Sequence, residues 1–300
     1  MSTVRPRPLV LEREAKLASL FPGAEERRLE ASGVLAADGG FYVIFDNAPD
    51  IGWVEAGLSP GAAGHRLIGQ RRGRRSGFED IAHDAAGGRF YVLIEAQAQA
   101  QAQARGRGFM AEVQEYDQGL GYLGRAWLDF PLEGANKGLE GLTFLRRRDR
   151  AYLLGLCESN RCKDGEEGRR PGGGRIQVFE RGGGDWERAG TIRLPASLPF
   201  TDFSSLAMAE DRLAVVSQES SALWAGRLHP SSWEVDGQGA VFEFPTDLRG
   251  RTLYCNVEGV SWMSADQVVV VSDRAKRGGR QDERCRAKDQ SIHVFTIPGR

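Results

Sequence analysis

A hairpin-like unit occurs five times along the 300-residue chain, and this repeat restricts the fold more than any other feature of the sequence. Each unit contains an acidic or hydroxyl residue, an apolar strand, a turn rich in Gly, Asp, Arg or Ala, and a β-rich strand that ends near an acid. The units are "ASGVLAADGGFYVIFDN" (31–47), "FEDIAHDAAGGRFYVLIEA" (78–96), "LEGLTFLRRRDRAYLLGLCES" (139–159), "FSSLAMAEDRLAVVSQES" (203–220) and "VEGVSWMSADQVVVVSDR" (257–274). Such self-similarity is typical of arrays and propellers.

Further strand candidates lie between the hairpins, for example "IGWVEA" (51–56) and "FMAEVQEYD" (109–117), so each repeat holds about four strands, as a propeller blade does. After the fifth hairpin only "SIHVFTI" (291–297) remains. The N-terminal "RPLVLERE" (7–14) is expected to supply the missing outer strand and close the ring, which removes an open sheet edge. The sequence therefore predicts a single all-β domain, a β-propeller with five blades.

Three stretches between these strands have weaker patterns. A sixth blade within 57–77 or 228–250 is the alternative to five blades. The run "AQAQAQAQA" (96–104) is predicted to be an exposed insertion with little fixed structure, because alternating Ala and Gln offers nothing large to bury.

Charge and hydropathy exclude two classes of partner. Lys and Arg total 40 against 41 Asp and Glu, so the net charge of -1 gives no basic field for nucleic acid. No stretch approaches the ~20 apolar residues that a membrane span needs, and the N-terminus has no apolar core of the kind found in signal peptides. We therefore expect no nucleic-acid partner, no membrane span and a cytoplasmic location. The oligomeric state is not indicated by the sequence.

The four cysteines match no common zinc pattern, since Cys157 and Cys162 are separated by four intervening residues and Cys255 and Cys285 are distant. Free or locally paired thiols are the favoured interpretation. Cys157 and Cys162 flank a predicted loop, which they can staple only in an oxidising compartment.

Both ends of each hairpin carry a polar marker, and antiparallel pairing brings the two ends to the same rim of the ring. If the first strand of each blade is innermost, five pairs of markers surround the mouth of the central channel. The first-strand markers are Ser32, Glu79, Glu140, Ser204 and Glu258, and their second-strand partners are Asp46, Glu95, Glu158, Glu219 and Asp273.

So many carboxylates in a small volume predict a cation site. A pair of like charges about 4 Å apart costs on the order of 4 kcal/mol at an effective dielectric near 20, and a hard divalent ion such as Ca²⁺ removes that cost. Glu79, Glu140 and Glu258 share one repeat position, so they are the predicted metal ligands, with the second-strand acids around them. For any single marker, a solvated strand end is the simpler explanation.

Four more polar residues stand just before strands and are predicted to face the same mouth. For Asn136 and Asn256 ordinary turn formation explains the residue type equally well. Lys137 is explained more simply as a counter-ion for neighbouring carboxylates than as a ligand-binding group. The fourth is Asp202.

The succession "NKGLEGLTF", "DFSSLAM…LAVVSQESSALW" and "NVEGVSW…VVVVSD" resembles the SdiA-regulated family of bacterial β-propellers, and more distantly the esterase-like phytase propellers. The resemblance covers about residues 30–297 and implies a propeller with a central Ca²⁺ and an acidic top face. Its acidic positions correspond here to Glu79, Glu140 and Glu258. The resemblance implies a periplasmic location as the alternative to the cytoplasm, but no particular reaction.

Two functions from different classes follow. The first is a binding module in which Ca²⁺ stiffens the channel and the rim receives a small ligand or a partner. The second is a metal-assisted hydrolase that acts on a phosphoester or ester. The sequence contains no G-x-S-x-G, P-loop or HExxH motif, and its four His are scattered, so binding is favoured.

Overall fold

The computed structural model describes residues 7–24, 27–69, 77–98, 108–134, 138–276 and 281–299. In this part of the chain, the strands form five antiparallel sheets, and the innermost strands of these sheets contact one another around a common axis. The predicted five-bladed β-propeller is therefore confirmed. The six-bladed alternative is wrong, because the strands at 66–69 and 235–243 are the outer strands of existing blades.

The strands in chain order are β1 (Arg7–Pro8), β2 (Val10–Lys16), β3 (Ala31–Ala37), β4 (Gly40–Phe45), β5 (Ala48–Glu55), β6 (Arg66–Gly69), β7 (Phe78–Asp84), β8 (Arg89–Ala98), β9 (Phe109–Asp117), β10 (Tyr122–Trp127), β11 (Leu139–Arg147), β12 (Arg150–Cys157), β13 (Arg175–Arg181), β14 (Trp186–Arg193), β15 (Ser205–Ala209), β16 (Arg212–Ser217), β17 (Ala222–Leu228), β18 (Val235–Glu243), β19 (Val257–Trp262), β20 (Gln267–Ser272) and β21 (Ser291–Thr296). Helical segments are short: α1 (Leu17–Leu20), α2 (Gly165–Arg169), and the 3₁₀ turns Asn160–Cys162 and Glu283–Ala287.

Each blade is a meander whose first strand lies innermost. Blade 1 is β3-β4-β5-β6, blade 2 is β7-β8-β9-β10, blade 3 is β11-β12-β13-β14, blade 4 is β15-β16-β17-β18, and blade 5 is β19-β20-β21-β2. The second strand β4, "GFYVIF", is buried along its whole length, and β12, β16 and β20 are buried beyond their first one or two residues, because neighbouring blades cover both faces of the sheet.

Apolar packing between adjacent blades holds the ring together. Five clusters of buried side chains fill the five interfaces between neighbouring blades. Large aromatic residues lie at their centres, for example Trp224 between blades 3 and 4 and Trp186 between blades 2 and 3. Every blade is thus stabilised mainly by the blades beside it, as in other repeat architectures.

The N-terminal strand closes the ring, as the sequence predicted. β2 pairs antiparallel with β21, from Val10 opposite Thr296 to Lys16 opposite Ser291, and so completes blade 5. The preceding two residues, β1, add a short parallel strand to β18 of blade 4. The N-terminal segment therefore ties two neighbouring blades.

The insertion at 96–104 differs from its prediction over the part that is described. β8 continues to Ala98, and Ala96 is buried against the interface between blades 2 and 3, so the insertion begins later than expected. Residues 99–104 lie outside the described residues.

The cysteines form two disulfides, Cys157–Cys162 and Cys255–Cys285. The first closes the loop that the sequence indicated, and Glu158 is the residue after Cys157. The second joins the segment before β19 to the 3₁₀ turn Glu283–Ala287. Both therefore fix segments at the end of the propeller that carries the polar markers.

Candidate functional site

Four of the five inner strands contain a β-bulge at the marker position. The pairing register shifts across Ser32 in β3, across Glu79 in β7, across Glu140 in β11 and across Glu258 in β19. A bulge turns the extra residue out of the regular ladder and re-aims its side chain. The marker side chains are therefore directed into the mouth of the channel by the backbone itself.

The markers line a cavity of about 620 Å³ at this end of the axis. Its wall contains eight carboxylates, and Lys276 supplies the one cationic side chain among the described lining residues. We call it the acidic cavity, and its lining residues are Ser32, Asp46, Glu79, Glu95, Glu140, Glu158, Asp202, Phe203, Ser204, Gln218, Glu258, Asp273 and Lys276.

The structure brings together most of the residues that the sequence pointed to. Ten of them line the acidic cavity: Ser32, Asp46, Glu79, Glu95, Glu140, Glu158, Asp202, Ser204, Glu258 and Asp273. Asn136 and Lys137 lie outside the described residues. The expectation that these acids share one rim therefore agrees with the geometry.

Two predicted residues lie outside this wall. Glu219 is exposed, and its carboxylate accepts a hydrogen bond from Thr201 Oγ1 at 2.9 Å. The neighbouring residue Gln218 lines the cavity instead. Asn256 is buried, and its amide donates to Arg274 O at 2.5 Å and to Gln281 Oε1 at 3.2 Å, so it holds a loop rather than facing the cavity.

Glu79 and Glu140 form a carboxyl pair. Burial, followed by the charge of Glu140 and a hydrogen bond between the two side chains, raises the pKa of Glu79 well above its ordinary value. A hydrogen bond between two carboxyl groups needs a proton on one of them, so the pair holds a proton when no other cation compensates it.

Glu258 and Asp273 have raised pKa values as well. Burial is the main cause for Glu258, and the charges of Asp273 and Glu140 add to it, although Gln218 Nε2 donates a hydrogen bond to Glu258. Burial raises the pKa of Asp273 to about 7, with the charges of Glu30 and Asp46 acting in the same direction. Both carboxyls therefore bind a proton more readily than an ordinary acid, and Asp273 does so near neutral pH.

Asp46 and Asp202 complete this pattern on other blades. Burial raises the pKa of Asp46, and the charge of Glu30 adds to the effect. Burial also raises the pKa of Asp202, although its carboxylate accepts a hydrogen bond from Ser217 Oγ at 2.5 Å.

A second set of residues lies one position after each marker and fills the axis beneath the cavity. We call this set the axial layer: Gly33, Asp80, Gly141, Ser205 and Gly259. The three glycines allow the inner strands to approach closely, because a Cβ on Gly141 would lie 2.6 Å from Leu206 N and one on Gly259 would lie 2.9 Å from Val34 N.

Asp80 is the centre of the axial layer, and sequence reasoning did not identify it. Its carboxylate accepts hydrogen bonds from the backbone N–H groups of Ile81 at 2.8 Å and Leu142 at 2.9 Å, and from Ser205 Oγ at 3.2 Å. Ser205 Oγ in turn accepts from Val260 N at 3.0 Å. Asp80 and Ser205 therefore connect the inner strands of blades 2, 3, 4 and 5.

The acidic cavity has the donor chemistry of a site for a hard cation, since oxygen ligands dominate its wall. Two of its oxygens, Ser32 Oγ and Asp273 Oδ1, are buried without a hydrogen-bond partner among the described residues. In the described part of the chain, however, no three His, Cys, Asp or Glu side chains converge as a preformed metal cluster. The chemistry of a metal site is present, but its coordination geometry is not.

Comparison with known proteins supports the fold only. No protein-family model matches the sequence, and no curated protein matches it. Among solved structures, glutaminyl cyclase from Myxococcus xanthus is 12% identical over 98% of this chain and 100% of that chain, with a TM-score of 0.53. Xylan β-1,4-xylosidase from Bacillus halodurans is 10% identical over 84% of this chain, with a TM-score of 0.50, and the match covers 51% of the xylosidase. Both likenesses are to β-propeller proteins.

No helix in the described residues is long and apolar enough to cross a bilayer.

Proposed function

We propose that this protein is a Ca²⁺-binding β-propeller whose acidic cavity is a binding site for a small ligand. The observation that carries the proposal is the carboxyl pair of Glu79 and Glu140, which are both half-buried in the cavity wall and which a shared proton or an added cation would stabilise. Glu258 faces the same cavity, where burial and the charges of Asp273 and Glu140 raise its pKa. These three side chains are the proposed metal ligands.

Ca²⁺ is the divalent ion that this wall fits best. It accepts six to eight oxygen ligands in flexible arrangements, so it tolerates carboxylates supplied by several blades. Zn²⁺ prefers nitrogen and sulfur ligands, and the four cysteines are paired with one another. The proposed ion would hold the inner strands of blades 2, 3 and 5 at the mouth and provide an electrophilic centre for ligand oxygens.

The resemblance to the SdiA-regulated family belongs to this proposal. It is supported by the five-bladed ring and by the carboxylates at the three matching positions. A binding module is the function we favour. A propeller can present such a cavity as a binding site, and the described lining residues contain no nucleophile–base pair.

Calorimetric titration with Ca²⁺ tests the proposal. Chelator-stripped protein should give a saturable binding isotherm, and Ca²⁺ should raise its melting temperature by mass action. Glu140→Gln should lose most of both responses. The matched control is Glu219→Gln, because Glu219 carries the same group outside the cavity and should leave binding unchanged. An absence of heat and of thermal shift in the wild type rejects the calcium site.

A hydrolase remains the second candidate because of one observation. Burial raises the pKa of Asp273 to about 7, which suits a group that takes and returns a proton near neutral pH. A metal bound to the neighbouring carboxylates would polarise an ester or phosphoester. Turnover of generic phosphate or carboxylic esters that requires Ca²⁺ and is lost in Asp273→Asn would establish this function. A lack of turnover in a broad screen leaves binding as the function.

The two disulfides bear on location. Stable disulfides are typical of proteins that fold in oxidising compartments, so we propose a periplasmic or otherwise exported location in place of the cytoplasmic one. Alkylation of the denatured protein, purified without reductant from its native host, should leave all four thiols unmodified. Complete alkylation would support the cytoplasm.

A further inference from the structure

Blade 1 differs from its neighbours at the mouth, because it carries Ser32 where blades 2, 3 and 5 carry Glu. Ser32 lines the acidic cavity and is 4% exposed. Its Oγ has no hydrogen-bond partner among the described residues. Leaving a buried hydroxyl unpaired is unfavourable, so this group is suited to a partner that the described residues do not supply.

A second unpaired acceptor belongs to the adjacent blade. Asp273 Oδ1, on blade 5, is buried and also has no hydrogen-bond partner in the described part of the chain. Asp46 follows β4 of blade 1, lines the same cavity, and lies close enough for its charge to act on Asp273. Three polar groups from two neighbouring blades thus line the same cavity.

We propose that Ser32, Asp46 and Asp273 form a subsite for the protonated amino group of an organic amine. This inference rests on the proposed function in that it takes the acidic cavity to be the ligand site. It adds the class of ligand, a small aliphatic amine or polyamine, and it assigns the amine to residues other than the three glutamates proposed for Ca²⁺.

The chemistry of the subsite favours an ammonium group over other ligands. Carboxylates only accept hydrogen bonds, and an ammonium group offers three N–H donors together with a positive charge. Phosphates are a poor fit, because Lys276 is the one cationic side chain on the described wall. A neutral polyol offers O–H donors but leaves the negative charge of the cavity uncompensated.

Lys276 allows a second test, in which the substitution should strengthen amine binding instead of weakening it. Its side chain is exposed, it lines the cavity, and its charge lowers the pKa values of both Asp273 and Glu258. A bound amine would therefore meet a like charge from Lys276. Removing that charge should tighten amine binding, whereas removing an acceptor should weaken it.

The experiment is a calorimetric titration of the full chain, saturated with Ca²⁺, using 1,4-diaminobutane. The matched ligand control is 1,4-butanediol, which has the same length and no charge. We expect saturable binding of the diamine and none of the diol. Ser32→Ala and Asp273→Asn should each weaken diamine binding about tenfold or more, and Lys276→Gln should strengthen it, because a charge-assisted hydrogen bond contributes on the order of 1.5–3 kcal/mol.

The outcomes separate this inference from the calcium proposal. Ca²⁺ binding without diamine binding overturns the amine subsite and leaves the calcium site intact. Diamine binding that Ser32→Ala, Asp273→Asn and Lys276→Gln all leave unchanged also overturns it, because the attraction would then be diffuse. Diamine binding with the expected pattern in protein that binds no Ca²⁺ supports the subsite and rejects the calcium proposal. The melting temperature of each variant should match the wild type within a few degrees.

Discussion

The acidic cavity and the axial layer are adjacent tiers of the same five inner strands, yet their carboxylates have different neighbours. Glu79 and Asp80 are consecutive residues in one bulge of β7. Asp80 is surrounded by two backbone N–H groups and a hydroxyl from three blades. Glu79 faces Glu140 and other acids across the cavity.

The two tiers differ in which groups offset the negative charge of their carboxylates. In the axial layer the chain itself supplies donors to Asp80, which connects the blades, although burial still raises the pKa of Asp80 well above its ordinary value. In the acidic cavity most of the described lining groups are carboxylates, with Lys276 and the Gln218 amide among the donors, so a proton, a metal ion or a ligand is expected to supply further compensation. We therefore expect the axial layer to contribute stability, and the acidic cavity is the region to which we assign ligand binding.

The largest effect is expected from removing the carboxylate of Asp80. Asp80→Ala leaves the N–H groups of Ile81 and Leu142 and the hydroxyl of Ser205 without their acceptor in a fully buried position. We expect a loss of about 3 kcal/mol or more in the free energy of unfolding, measured by urea denaturation. Glu79→Gln, one residue away, should cost nothing in chelator. Equal losses at both positions would remove the distinction between the two tiers.

A smaller loss should follow from filling the axial layer. Gly141→Ala places a Cβ 2.6 Å from Leu206 N, where two inner strands meet and neither backbone can move freely. We expect a loss of about 1–3 kcal/mol in the same denaturation experiment. Gly124→Ala is the matched control, because a Cβ in the outer strand β10 meets no atom within 4 Å. Its stability should equal the wild type or slightly exceed it.

The smallest effect concerns the pH dependence of stability without divalent ions. Burial raises the pKa of Asp273 to about 7, above its value in the unfolded chain, so the folded protein holds this proton more tightly. The stability that the proton contributes is present at low pH and is lost as pH rises through about 7. Asp273→Asn should remove part of this decline and stabilise the chelated protein at pH 8 by about 1 kcal/mol.

The same pH profiles can also contradict this prediction. If chelated wild type is as stable at pH 8 as at pH 5, and Asp273→Asn does not change the profile, the carboxyls of the cavity are already compensated within the chain. Thermal melts across that pH range in chelator make the comparison.

The acidic cavity could be predicted from the sequence, and the axial layer could not. Marker acids repeat at one position of a recurring hairpin, so periodicity alone placed Glu79, Glu140 and Glu258 on one rim. Asp80 has no such repeat, since its counterparts are glycines and a serine. Its partners are backbone groups of other blades, which a side-chain pattern does not report.

The errors near the rim have local causes. Sequence reasoning chose Glu219 because each hairpin was expected to end on an acid, but the strand β16 ends at Ser217 and Gln218 is the residue that reaches the cavity. Lys276 was missed because it follows the last hairpin without any periodic signal. Asn256 was expected to face the mouth, and it is held instead by Arg274 O and the Gln281 side chain.

The central claim is that the carboxyls of the acidic cavity hold protons that an external cation displaces. The most direct test is the number of protons released on Ca²⁺ binding, obtained from titrations at pH 6 in buffers of different ionisation enthalpy. We expect about one proton or more to leave per Ca²⁺ bound, because the coupled carboxyls must ionise to act as ligands. Calcium binding with no proton release, or no calcium binding at all, would contradict the account.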